Sequence, residues 1–205
     1  MKTIQLFTLV LLLSTHCYSQ ITHAEPENWT IFNRQVSYDK EVIHLNGQES
    51  DGLLWLNDFS FTKGVIELDI KGKNAPGQSF VGFAFHGVND ETFDAIYFRP
   101  FNFKNPDRNT HSIQYISMPD NDWSGLRSTF PGKFENTISP VPEPVDDWFH
   151  AKIVVDFPNV KVFVNRSDKA TLEIEQLSDR KQGKVGLWVG NGSEGWFKNI
   201  KITKK

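Results

Sequence analysis

Five side chains between positions 86 and 114, His86, Tyr97, Arg99, Asn102 and Gln114, have the chemistry needed to hold a polyhydroxylated ligand. Arginine and glutamine supply directional donors that match paired hydroxyls or a carboxylate, and a tyrosine ring offers a flat apolar surface to the C–H face of a sugar. Their spacing implies a shared surface. In residues 79–86, Val81, Phe83 and Phe85 alternate with Phe80, Gly82, Ala84 and His86, so one face is bulky and the other mostly small. In residues 95–99, Ile96 and Phe98 take the core side, which leaves Ala95, Tyr97 and Arg99 opposite. Sequential pairing of these strands collects all five polar groups on one face. Gly82, Ala84 and Ala95 would leave a trough there, with Arg99 and Tyr97 facing solvent and Phe83 turned into the core. The competing use of Arg99 is an ion pair with Asp94 or Glu91, with Tyr97 merely covering the sheet.

A second set, His111, Trp123, Arg127 and Glu135, flanks a long irregular segment. A glutamate against an apolar wall such as Phe134 or Trp123 has its pKa raised and can act as a general acid or base. Glu135 and His111 are therefore the candidate catalytic groups, with Asp94 as a carboxylate partner. Trp188 alternates with Val185, Leu187 and Val189, so it shares a face with Gly186 and can stack on a ligand. No metal or cofactor is implied: the six histidines are scattered, with no HExxH spacing. Calcium would have only Asn89-Asp90, Asp120-Asn121-Asp122 and Asp146-Asp147, none in an EF-hand pattern.

The elements that must position these groups read as β-strands nearly throughout. Twelve runs with two-residue periodicity are expected: Trp29–Phe32, Val36–Leu45, Leu53–Leu56, Val65–Ile70, Ser79–His86, Ala95–Phe98, Ser112–Ile116, Phe149–Asp156, Val160–Val164, Thr171–Ile174, Lys184–Val189 and Trp196–Ile202. That number in one domain predicts an all-β fold, a two-sheet antiparallel jelly-roll sandwich. Ile66, Leu68 and Ile70, like Phe149, Ala151, Ile153 and Val155, alternate with polar residues, which predicts one wet face per sheet. Residues 117–147 break the rhythm with Pro119, Pro131, Pro140, Pro142 and Pro144, which cannot sit in central strands. Trp123, Leu126, Phe130 and Phe134 within that loop predict an ordered lid on the sheet, ending in a stiff extended spacer at 140–147.

Residues 1–19 have the layout of a secretory signal peptide: Lys2, an apolar stretch from Ile4 to Leu13, and small or polar residues through Ser19. Cleavage after Ser19 would leave residues 20–205 as a single secreted or periplasmic domain. His16 stands where a lipidation box ahead of Cys17 wants a small residue. No later stretch is apolar enough to span a bilayer. Cys17, the only cysteine, lies in the leader, so the exported domain relies on core burial rather than disulfides. Loss of Lys2 would take the formal charge from −3 to −4, which argues against nucleic acid or an anionic membrane as partner.

Three stretches carry a family resemblance: Gly64–Ile70; Phe80–Phe85 followed by Ile96–Arg99; and Gly183–Val189 followed by Trp196–Ile202. Over residues 29–202 the chain resembles the concanavalin A-like lectin/glucanase sandwiches, which include laminin G-like modules and the domain named after 3-keto-disaccharide hydrolases. The resemblance implies that the terminal strands pair and that a concave sheet binds a carbohydrate or glycoconjugate, without fixing whether a bond is cut. Glu67-Leu68-Asp69-Ile70 looks like the start of a laminarinase-type motif, but Lys71 occupies the third acidic position, and a retaining glycosidase needs two carboxyl groups. Three readings follow from this: a saccharide-binding protein, a hydrolase or lyase using the same face and the 117–147 loop, and a non-catalytic adhesion module.

Overall fold

The computed structural model describes residues 18–21 and 25–205. The leader expected at residues 1–19 lies outside the described residues except for Tyr18 and Ser19. In chain order the strands are β1 (Tyr18–Ile21), β2 (Trp29–Phe32), β3 (Val36–Asp39), β4 (Val42–Leu45), β5 (Gly52–Leu56), β6 (Gly64–Lys71), β7 (Val81–Gly87), β8 (Asp94–Phe98), β9 (Ile113–Ser117), β10 (Glu135–Asn136), β11 (Phe149–Asp156), β12 (Asn159–Val164), β13 (Leu172–Glu175), β14 (Lys184–Val189) and β15 (Gly195–Lys204). A single α-helix among the described residues, α1 (Trp123–Thr129), lies between β9 and β10.

The strands form two antiparallel sheets packed as a sandwich. One runs β13-β12-β11-β6-β15-β4-β3, with β1 also pairing β15, and the other runs β10-β9-β8-β7-β14-β5-β2. These two paths hold fourteen strands rather than twelve, because Val36–Leu45 is a hairpin that turns at Lys40 (φ 54°) and because Glu135–Asn136 adds β10. The C-terminal strand β15 does pair with the N-terminal strands β1 and β4. Its predecessor β14 belongs to the other sheet, between β7 and β5.

Alternation decides which side chains fill the space between the layers. Phe83 is fully buried, and Phe98 of β8 meets Phe149 of β11 across the interior at 5.0 Å. The eight-stranded sheet keeps a wet outer face, where Glu67 and Asp69 alternate with buried Ile66, Leu68 and Ile70. Those two acids stand beside His150 on that surface, with Asp69 Oδ1 2.9 Å from its Nδ1. The seven-stranded sheet departs from the expectation of one wet face: every residue of β5, β7, β8 and β9 is buried. The segment after β9 folds across its outer face and buries Leu126.

The small residues of that outer face make room for the sheet's own rings rather than for an open trough. Gly82 stands in register between Tyr97 and Trp188, whose rings meet at 5.0 Å. A Cβ on Gly82 would come within 2.1 Å of the Ile96 carbonyl oxygen. His86 also leaves the face that alternation gave it. Between Ala84 and Gly87 strand β7 carries two residues against Val185 alone, and this bulge puts His86 at φ 49°. Its ring turns toward the Thr62 carbonyl (2.7 Å) and Gln176 (3.1 Å), away from Arg99.

Candidate functional site

The outer face of the seven-stranded sheet carries a polar row set by register. Gln114 lies opposite Tyr97 on one side and Glu135 on the other, so the three side chains point the same way. Arg99 follows β8, one pleat beyond Tyr97, where its backbone N–H donates to the Ser112 carbonyl. Its Nη2 donates to the Tyr97 hydroxyl and to Gln114 Oε1, and its Nη1 donates to the His111 carbonyl at 2.9 Å. The guanidinium lies over the Tyr97 ring, 4.7 Å from its centroid. Tyr97 in turn donates to Gln114 Oε1 at 3.1 Å.

The sequence placed Arg99 and Tyr97 in solvent; they are 4 % and 2 % exposed. They keep the predicted face, opposite Phe83, but are covered by α1 and the Phe80 ring rather than by the other sheet. Gln114 Nε2 donates to the Trp123 carbonyl at 3.3 Å, tying the start of α1 to the sheet, and Asp122 caps that helix by accepting from Gly125 N–H at 2.6 Å. The expected ordered lid is therefore present, with a short helix at its centre. Burial pushes the Arg99 guanidinium below its ordinary value and the Tyr97 phenol well above its own.

Glu135 is held by Arg127 and approached by His111 and Arg99. Arg127 grips it with both branches, Nε to Oε1 at 3.0 Å and Nη2 to Oε2 at 2.7 Å. His111 Nδ1 lies 2.8 Å and Arg99 Nη1 4.0 Å from Oε2. His111 is fixed from its backbone side too, since Asn102 Nδ2 donates to its carbonyl at 3.1 Å. Burial alone would raise the Glu135 carboxyl, but Arg127 and His111 outweigh it and hold the group below its usual range. The raised pKa expected under an apolar wall is thus reversed by the ion pairs.

A carboxylate held low in the folded state adds stability above its ordinary pKa, about 4.3, and loses it as the pH falls through the lower folded value. Glu135→Gln is therefore expected to unfold more easily than wild type at pH 7, with a shallower loss of stability below about pH 4. Urea midpoints measured from pH 7 to pH 2.5 check this, and parallel curves for the two proteins would count against it.

These groups border two adjoining cavities. The larger, about 440 Å³, is lined by Arg99, Arg108, Arg127 and His111, with Phe101 and Asn102 on its wall. The second, about 340 Å³, is bounded by Tyr97, Trp188 and Asp51, and both share Gly77, Phe80 and Trp123. Trp123 is 50 % exposed at that shared border, and Arg127 lies 5.2 Å from its ring centroid.

Of the sequence candidates, Arg99, Tyr97, Gln114, Asn102, His111, Trp123, Arg127, Glu135 and Trp188 come together here. His86 and Asp94 do not. Asp94 opens β8 on the core side, bonded to Tyr115 (2.5 Å) and paired with Arg180 (2.9 Å), so it is neither a partner of Glu135 nor the counter-ion of Arg99. Arg108, Phe101 and Asp51 were missed because they sit in turn-like stretches that carry no periodicity. No group of three or more metal-ligating side chains is assembled among the described residues. Two acids considered for calcium have other partners: Asp90 accepts from the Trp55 indole at 2.8 Å and Asp122 caps α1.

Comparison with solved structures supports the same architecture. The carbohydrate binding module CBM66 from Bacillus subtilis superposes with a TM-score of 0.62 at 16 % identity, over 85 % of this chain and 95 % of that one. The VIP36 exoplasmic/lumenal domain in its Ca2+/Man3GlcNAc-bound form gives 0.62 at 14 % identity, over 92 % and 90 %. A putative glycosyl hydrolase from Parabacteroides distasonis gives 0.54 at 15 % identity, over 87 % and 89 %. Among curated proteins no match was found. Residues 22–203 match the model of the 3-keto-alpha-glucoside-1,2-lyase-like domain, and the chain belongs to that family.

Proposed function

We propose that this protein binds a saccharide in the groove formed by the two adjoining cavities on the outer face of the seven-stranded sheet, and that it does so after export. The observation that carries the reading is that Arg99 and Tyr97, joined in one buried network through Gln114, each line one of the adjoining cavities, with the half-exposed Trp123 ring bordering both. Buried partners fix the donors before any ligand arrives, which lowers the ordering cost of binding. Trp123 supplies the apolar face for the sugar ring. Two of the structural neighbours, a carbohydrate binding module and a domain in its Man3GlcNAc-bound form, support a saccharide partner. Trp123→Ala is expected to weaken saccharide binding at least tenfold while costing under about 1 kcal/mol of stability, because half of the ring already faces water. Calorimetric titration beside urea denaturation reads both, and undiminished binding would refute the assignment.

A second reading, elimination on a bound 3-keto-glucoside, is favoured by the pairing of His111 with Glu135 and by the family's name. With Nδ1 2.8 Å from the carboxylate, Nε2 of this cavity-lining imidazole would be the proton acceptor. It would take the proton from C2, which a ketone at C3 acidifies. The electron pair forms the C1–C2 double bond as the C1–O bond breaks, and the departing oxygen picks up a proton. Arg127 or Arg99 would face the charge that grows on the ketone oxygen. Methyl 3-keto-α-glucoside should then release methanol in wild type and not in His111→Ala; equal release by both would sink this reading.

A further inference from the structure

We propose that the arginine end of the groove selects an anionic saccharide, one whose carboxylate or sulfate is met by Arg108, Arg127 and Arg99, while the Asp51 end takes neutral hydroxyls. This deepens the saccharide-binding reading and rests on it.

The charge balance of the larger cavity is the first ground. Three arginines and His111 line it, and no aspartate or glutamate does. The one carboxylate in reach, Glu135, is 5 % exposed behind the wall and is already gripped by Arg127 and approached by His111. Three of the five Arg99 donors go to a phenol, an amide oxygen and a carbonyl, all uncharged, and its nearest carboxylate oxygen, Glu135 Oε2, lies 4.0 Å away. Arg108 is exposed at the rim and has no ion pair or side-chain hydrogen bond among the described residues. One carboxylate thus faces three guanidinium groups, in a chain whose formal charge is −3. A local excess opposite in sign to the whole molecule concentrates anions at the cavity.

Donor chemistry is the second ground. A sugar hydroxyl both donates and accepts, whereas a guanidinium has donors only. A wall built of guanidinium groups matches an acceptor-only group, and its fork fits two oxygens of one carboxylate or sulfate. The adjoining cavity is built differently, with Asp51 as an acceptor beside the Tyr97 and Trp188 rings. Phe80 and Trp123 border both cavities, so one oligosaccharide can lie across them with its charged unit at the arginine end.

The test is calorimetric titration of the full chain with glucan, mannan and galactan tetrasaccharides, each paired with its C6-oxidised uronate and its C6-sulfated counterpart. At least one anionic member should bind about tenfold or more tighter than its neutral partner, and the gain should shrink between 50 mM and 500 mM salt. The uronate and sulfate arms show which anion is read. Arg108→Gln should lower the anionic-to-neutral affinity ratio severalfold, a change that misfolding would not produce because it would weaken both members alike. Neutral members binding as well as anionic ones would overturn the charge selection and leave the saccharide site standing. Failure of every pair to bind would overturn both.

Discussion

Arg99→Ala is expected to abolish saccharide binding and also to lower stability by about 2–4 kcal/mol, since hydrogen bonds made by a buried charged group are worth more than neutral ones and their loss leaves acceptors unpaired. The guanidinium joins β8 to Gln114 on β9 and to the His111 carbonyl, and it lies on the Tyr97 ring, so one truncation loosens both the floor and the wall of the groove. Arg99→Lys should rescue neither property fully, because an ammonium cannot bridge these three acceptors in the fixed plane of a guanidinium. Urea denaturation and calorimetry on the two variants check the claim. A stability change below about 0.5 kcal/mol in Arg99→Ala would show that the network is not a structural hub.

Phe83→Ala is expected to cost about 3–5 kcal/mol, the range for removing a large buried ring and leaving a cavity. Its ring lies between the sheets, in register with Ile96 and Leu187 on the neighbouring strands, and its exposure is 0 %. The denaturant midpoint should fall with little change in slope, as for a stability loss without an altered unfolded state. A loss under about 1 kcal/mol would mean that the faces of β7 are assigned backwards.

These two residues also show what the sequence could reveal. Strict alternation over residues 81–85 and 96–99 placed Phe83 inward and Tyr97 and Arg99 outward, and that choice of face holds. Outward from a sheet did not mean exposed, because period-two patterns describe one layer and say nothing of what folds over it. The cover is α1, a seven-residue helix inside a proline-punctuated segment, too short to announce itself by periodicity. His86 escaped for another local reason: a bulge inserts one residue and reverses the side on which the next ring falls. Glu135 was legible as a candidate, but its partners come from elements 8 and 24 positions away, and only the pairing of β10 with β9 brings them together.

The indole N–H signals of the six tryptophans test the location of the site most directly, in a two-dimensional NMR titration with the tightest-binding oligosaccharide from the panel above. Trp123 and Trp188 should shift. Trp196, stacked on His44 on the outer face of the other sheet, and Trp148, beside Lys198, should stay in place. Movement of Trp196 or Trp148 with Trp123 unchanged would place the saccharide on the opposite side of the molecule and rule out a site on the seven-stranded sheet.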